Sequence, residues 1–228
     1  MTIADQLARV RERISAAERA SGRPPGSVAL VAVSKLHPAS AIREAYAAGQ
    51  RDFGENYLQE LEAKAAELAD LPDLRFHVIG HVQSNKARVA ARLASVVHTV
   101  DTPSLATELG KRAAGRPAPL PVLIEVNVGG EAQKHGCAPG DLAAVLAAIR
   151  AQPALELRGL MTVPPHTDDP AGARPFFRQL RELRDLHGGP SALPELSMGM
   201  SHDLDFAVAE GATQVRVGTA IFGERAPR

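Results

Sequence analysis

The sequence predicts an α/β protein, a single (β/α)8 barrel with an extra helix ahead of it. Three observations lead there. Eight short apolar runs alternate with helical, Ala-rich stretches along the 228 residues. The runs are uniformly apolar rather than alternating, as in parallel strands covered by helices. The length suits eight strand–helix units, since such barrels take roughly 250 residues.

Ile3, Leu7, Val10 and Ile14 recur at helical spacing, and Thr2 is placed to cap that first helix. Residues 1–26 are read as this helix and its lead-in, with the barrel from residue 27 onward. Strands are expected near Val28–Val33, Arg51–Phe53, Arg75–Ile79, Val96–Val100, Val122–Val128, Glu156–Met161, Glu195–Ser197 and Gln214–Val217. Helices are expected near 39–48, 57–69, 84–94, 103–114, 140–151, 173–187 and 202–210. Thr102-Pro103 and Ala138-Pro139 put proline in a first turn, Ser201 precedes Asp203 at another start, and Gly49 and Gly211 stand just past helix ends. An open doubly wound sheet is the competing architecture. Against it, Ser34-Lys35-Leu36-His37 follows the first strand where a glycine-rich G-x-G-x-x-G turn would be needed.

Composition narrows the function. Lys plus Arg and Asp plus Glu are 26 each, so the net charge is zero, and no basic block marks nucleic acid or a membrane surface. One cysteine, Cys137, excludes a disulfide within the chain and fits a reducing compartment. The N-terminus has no basic-then-apolar leader, and no apolar run approaches the ~20 residues of a membrane span. A soluble, cytoplasmic protein is expected.

The chemistry gathers at strand ends, where barrels of this type keep their sites. Of five lysines, Lys35 alone directly follows a long apolar strand. Apolar walls disfavour a charged amine, and a neutral amine forms a Schiff base with a carbonyl. In the eighth strand Arg216 points opposite to Val215 and Val217, so it faces the barrel interior or the helix layer. Gly218-Thr219 then opens a short helical turn where the backbone can approach an anion. In the seventh, Ser197 and Ser201 flank Gly199 and offer the other half of a phosphate cradle. A Schiff-base lysine, a phosphate cradle and an arginine between them suit pyridoxal 5'-phosphate (PLP). Arginine only donates, so a ring nitrogen facing it stays unprotonated and the ring is a weaker electron sink.

The blocks AVSKLHPASAIREAYAAGQRDFGENYLQE, FHVIGHVQSNKA, HTVDTPSLA, LIEVNVGGEAQKHG, LRGLMTVPP and LSMGMSHDLDFAVAEGATQVRVGTAIFGER run in one order along the chain. In them the sequence resembles the YggS/PROSC family of pyridoxal phosphate homeostasis proteins. Departures are confined to Val82 and the loop 129–133. The resemblance implies a barrel like the N-terminal domain of alanine racemase, with PLP held as an internal aldimine on Lys35. It implies that Arg216 faces the pyridine nitrogen, that Ser197, the Met198 backbone, Gly218 and Thr219 hold the phosphate, and that Asn56 lines the ring. His77 and His81 are candidate pocket residues or ordinary buried and rim histidines, and Lys134 is a candidate anion ligand. The implied role is a non-catalytic PLP holder, a monomer that buffers the cofactor or delivers it to PLP-dependent apo-enzymes. The racemase draws its second base from a further domain, and here only five residues follow Gly223. A slow racemase-like enzyme using Tyr57 or a strand-three histidine, and a sugar-phosphate aldolase using Lys35 directly, are the alternatives.

Overall fold

The computed structural model describes residues 1–224. Helix α1 (Ile3–Ala20) comes first. Thr2 caps it reciprocally: its hydroxyl accepts from the Asp5 amide at 3.1 Å and its amide donates to Asp5 Oδ2 at 3.0 Å. The barrel then runs β1 (Ala29–Val33), α2 (Ala39–Ala47), β2 (Asp52–Glu55), α3 (Leu58–Glu67), β3 (Arg75–Val78), α4 (Ala87–Leu93), β4 (Val96–Val100) and α5 (Pro103–Ala113). It continues through β5 (Leu120–Glu125), α6 (Leu142–Arg150), β6 (Leu155–Met161), α7 (Arg174–Leu186), α8 (Gly189–Ala192), β7 (Glu195–Ser197), α9 (Leu204–Ala209), β8 (Gln214–Val217) and α10 (Thr219–Phe222).

All eight strands are parallel and pair in chain order, and β8 closes on β1 with Val31 beside Arg216. That closure removes the open-sheet alternative. The expected caps hold at Thr102, whose hydroxyl accepts from the Leu105 amide at 3.2 Å, and at Gly49 and Gly211, both with left-handed φ. Strands β4, β7 and β8 fall where the sequence places them. β2 runs on through Gly54 and Glu55, which pair with His77 and Val78 of β3. β5 ends at Glu125 rather than Val128: the Asn127 amide donates to the Cys137 carbonyl and the Cys137 amide to that of Glu125, folding the following loop back on the strand. Asp203, not Ser201, precedes α9, and its Oδ1 accepts from the Met200 amide at 2.6 Å.

Helix α1 packs against α2, α9 and α10. Its buried Glu18 accepts from the Gly26 and Val28 amides at 3.0 and 2.8 Å, which fixes the lead-in to β1. Arg13 grips Asp205 and donates to the Ser201 carbonyl at 2.6 Å, tying the helix to the loop after β7. Among the described residues no helix is long and apolar enough to cross a membrane.

Candidate functional site

At the C-terminal ends of the strands lies a cavity of about 300 Å³. It is lined by Lys35, Asn56, Met200, Ser201, Arg216, Gly218 and Thr219 among others. This falls at the small end of the usual range for ligand sites.

Lys35 follows β1 in a strained turn. Leu36 holds a left-handed φ of 64°, rare for a residue with a side chain. Its amide donates to Glu60 Oε2 at 2.9 Å, which offsets part of that cost. Lys64 locks the same turn from below. Its ammonium donates to the Ser34 carbonyl at 2.8 Å, to Glu55 Oε1 at 2.7 Å and to Glu60 Oε2 at 3.3 Å. The Ser34 hydroxyl adds a 2.7 Å bond to Glu55 Oε1. Burial pushes the Glu55 carboxyl above its ordinary range, with Lys64 opposing. Lys64 lies on helix α3, yet it is buried and positions the backbone beside Lys35.

Arg216 is buried in the barrel and reaches the cavity floor. Its Nη1 donates to Ser197 Oγ at 2.7 Å and its Nη2 to the Thr162 carbonyl at 2.8 Å, which together fix the guanidinium plane. Burial pushes its pKa down to about 10, with Glu125 and Asp203 opposing. Behind it a chain of polar groups crosses the barrel: Ser197 Oγ lies 2.9 Å from His98 Nδ1, His98 Nε2 lies 2.9 Å from His77 Nδ1, and His77 Nε2 lies 3.0 Å from Asp52 Oδ1. The two ends set the direction. Arginine only donates and carboxylate only accepts. With both imidazoles neutral, His77 donates from Nε2 to Asp52, His98 from Nε2 to His77, and Ser197 from its hydroxyl to His98. Burial, then His77 and Arg216, hold His98 well below the ordinary imidazole range. Asp52 is anchored by Arg75, whose Nε and Nη2 each donate at 2.7 Å.

Asn56 enters the cavity wall with a buried Oδ1 that has no protein partner. Gly80 explains its position: a Cβ there would meet the Asn56 carbonyl oxygen at 2.2 Å, so only glycine lets the ends of β2 and β3 close together. Gly218 fits tightly at the β1–β8 junction, where a Cβ would meet the Val33 carbonyl at 3.1 Å. It leads into α10, whose first amides precede any intrahelical acceptor and are available to an anion.

The sequence matches the family model described as alanine racemase, N-terminal domain, over residues 6–226. It is 54% identical over 226 residues to a Pseudomonas aeruginosa protein named pyridoxal phosphate homeostasis protein, covering 98% of this chain and 96% of that one. The chain belongs to the pyridoxal phosphate homeostasis protein family. PipY of Synechococcus elongatus, solved with PLP bound, is 44% identical with a TM-score of 0.83, covering 97% of this chain and 100% of that one. Alanine racemase from Corynebacterium glutamicum shares the fold at a TM-score of 0.69 and 20% identity, covering 99% of this chain and 64% of its own.

In this family member the structure brings Lys35, Asn56, Arg216, Gly218 and Thr219 to one cavity. Two expected phosphate ligands sit elsewhere. Ser197 is fully buried and engaged by His98 and Arg216, because strand alternation turns it into the barrel. The Met198 amide donates to the Gln214 carbonyl at 3.1 Å within the sheet layer. Gly199, at φ 94°, then turns the chain, so that Met200 and Ser201 line the cavity instead. His77 is a member of the internal chain rather than a pocket residue. His81 and Tyr57 stand at the rim around a smaller neighbouring cavity. Lys134 donates to the Pro164 carbonyl at 2.8 Å and pairs with Glu131.

Proposed function

We propose that the protein binds pyridoxal 5'-phosphate in the 300 Å³ cavity and buffers or delivers it, without turning over a substrate of its own. The observation that carries this is the convergence of Lys35, Arg216 and the Gly218-Thr219 turn on one cavity. Lys35 holds the aldehyde carbon. Ser201, Gly218 and Thr219 hold the phosphate, and Arg216 faces the ring nitrogen. The partnerless Asn56 Oδ1 in the wall fits a ligand with a hydrogen-bonding ring substituent. The bound cofactor supplies an electron sink, weakened here because Arg216 donates to the ring nitrogen without a transferable proton. PipY with PLP bound supports the same reading.

A holder, rather than a racemase, is favoured by the groups around Lys35. A racemase needs a second positioned base. Tyr57 is 44% exposed at the rim and lines the neighbouring cavity, and His77 is committed inside the barrel. His202 lines the main cavity, but its Nε2 meets the Asp168 carbonyl at 3.2 Å. The recipients under this reading are PLP-dependent apo-enzymes, and the working unit is a monomer.

The test is the absorbance of purified protein with added PLP, followed by borohydride reduction and peptide mapping. A yellow protein with the reduced adduct on Lys35 is expected, lost in Lys35→Ala. A colourless protein, or an adduct retained after that substitution, refutes the site. Lys35-dependent α-proton exchange of amino acids in deuterated water, well above free PLP, refutes the holder reading.

A further inference from the structure

Beside the cofactor cavity, three ends of the barrel place metal-ligating groups together. His81 follows β3, Asp101 follows β4 directly, and His135 lies in the loop between β5 and α6. One ligand atom from each lies within 4.8 Å of the others. The two imidazoles stack with centroids 3.8 Å apart and planes 8° from parallel. Asp101 Oδ2 lies 3.5 Å from His81 Nδ1, longer than a good hydrogen bond. Donors bound tetrahedrally to one ion at about 2.1 Å lie about 3.4 Å apart, so this edge already has the spacing of a shared cation. The His135 ring is exposed and its ligand atom lies within 4.8 Å of the other two, so rotation about its side-chain bonds can bring it in.

Charge favours a cation at the same place. The Asp101 side chain is only 10% exposed, and among the described residues its ion pair is with His81. Glu125 stands close by, with a buried Oε2 that has no partner. Glu125 registers the negative charge: burial and then Asp101 push it up to about 7. Arg216 lies near enough to Glu125 to oppose that shift.

We infer that His81, Asp101 and His135 form a site for one divalent transition-metal cation of the zinc class. Two imidazole nitrogens and one carboxylate are the donor set of zinc sites that keep an open position, and they discriminate against calcium and magnesium, which prefer oxygen. The ion would join the β5–α6 loop to the ends of β3 and β4. It would stiffen the rim where His81 and Asn56 share a cavity of about 240 Å³. None of the three residues lines the Lys35 cavity, and the assignment does not depend on the cofactor reading.

The test is calorimetric titration with zinc chloride of the full chain, stripped of metal and of PLP, which itself chelates. Cobalt(II) absorption reports the geometry in parallel. One zinc per chain is expected, with a tetrahedral cobalt spectrum. The affinity falls tenfold or more in each of His81→Ala, His135→Ala and Asp101→Asn. His81 and His135 are exposed, so both variants retain the wild-type far-UV spectrum. His166→Ala, at an exposed position outside the three-residue cluster, leaves affinity unchanged. No stoichiometric uptake, or wild-type affinity in both cluster histidine variants, overturns the assignment.

Discussion

Replacing Lys64 with methionine tests whether the Lys35 turn is held by a buried ion pair. The ammonium makes three bonds in a site where the Glu55 side chain is fully buried and that of Lys64 only 9% exposed. Methionine keeps the volume and removes the charge. Two outcomes are open to Glu55. It stays ionised without its cation, a loss of about 3–5 kcal/mol for a broken buried pair. Or it takes up a proton. One pKa unit is worth about 1.36 kcal/mol, so neutralising a carboxyl with an ordinary value of 4.5 at pH 7 costs about 3.4 kcal/mol. Burial already pushes Glu55 upward, so that figure is an upper bound for the second route. Both routes converge near about 3 kcal/mol, or roughly 6–12 °C in Tm for a chain of this size. Urea denaturation at pH 7 measures it. The companion Lys64→Met/Glu55→Gln removes both charges and should recover at least half of the loss. Lys64→Met should also weaken PLP binding, because the Ser34 carbonyl next to Lys35 loses its anchor. A loss below about 1 kcal/mol, or additive losses for the two single substitutions, refutes the coupling.

Three further outcomes follow from the site. Glu125→Gln should stabilise the protein at pH 8 by at most about 3.4 kcal/mol, since an acid raised from 4.5 to about 7 loses stability as pH climbs through that window. The gain should vanish below pH 4.5 in urea melts run across pH, and a pH-independent gain counts against a titrating Glu125. Ser197→Ala should cost about 1–3 kcal/mol by leaving His98 Nδ1 and an Arg216 N–H without their partner. It should also change the absorbance of bound PLP and the ¹⁵N tautomer signals of His98, and unchanged signals would break the chain behind Arg216. Gly80→Ala should lower PLP affinity more than it lowers Tm, read by fluorescence titration and calorimetry, because the methyl strikes the carbonyl that places Asn56.

Legibility divided along the distance over which each group acts. Lys35, Arg216 and Gly218-Thr219 could be found because each stands at the C-terminal end of an apolar strand, where the barrel itself assigns position. Ser197 and Ser201 looked equivalent in sequence, four residues apart around Gly199. Which of them faces the cavity depends on where the left-handed turn at Gly199 ends the strand alternation. Lys64 was hidden for a different reason. A lysine on an amphipathic helix reads as solvated, and the Glu55 carboxylate that draws it inward lies in a strand whose FGEN ending reads as a loop.

The internal chain carries that logic to the opposite face of the barrel. Asp52, His77, His98 and Ser197 come from four different strands, and no local pattern links them. Barrel interiors are filled mainly by branched apolar side chains. Here polar groups fill part of that space, and each must satisfy the next, because an unmet polar group in a dry core costs more than its bond contributes. The requirement propagates from Asp52, held by Arg75 at the start of β3, to Arg216 beneath the cavity. An arginine placed in this way cannot swing away to meet another acceptor without breaking its bonds to Ser197 and Thr162. Its geometry toward a ligand is therefore set by the fold before the ligand arrives, as expected of a site built to hold a cofactor.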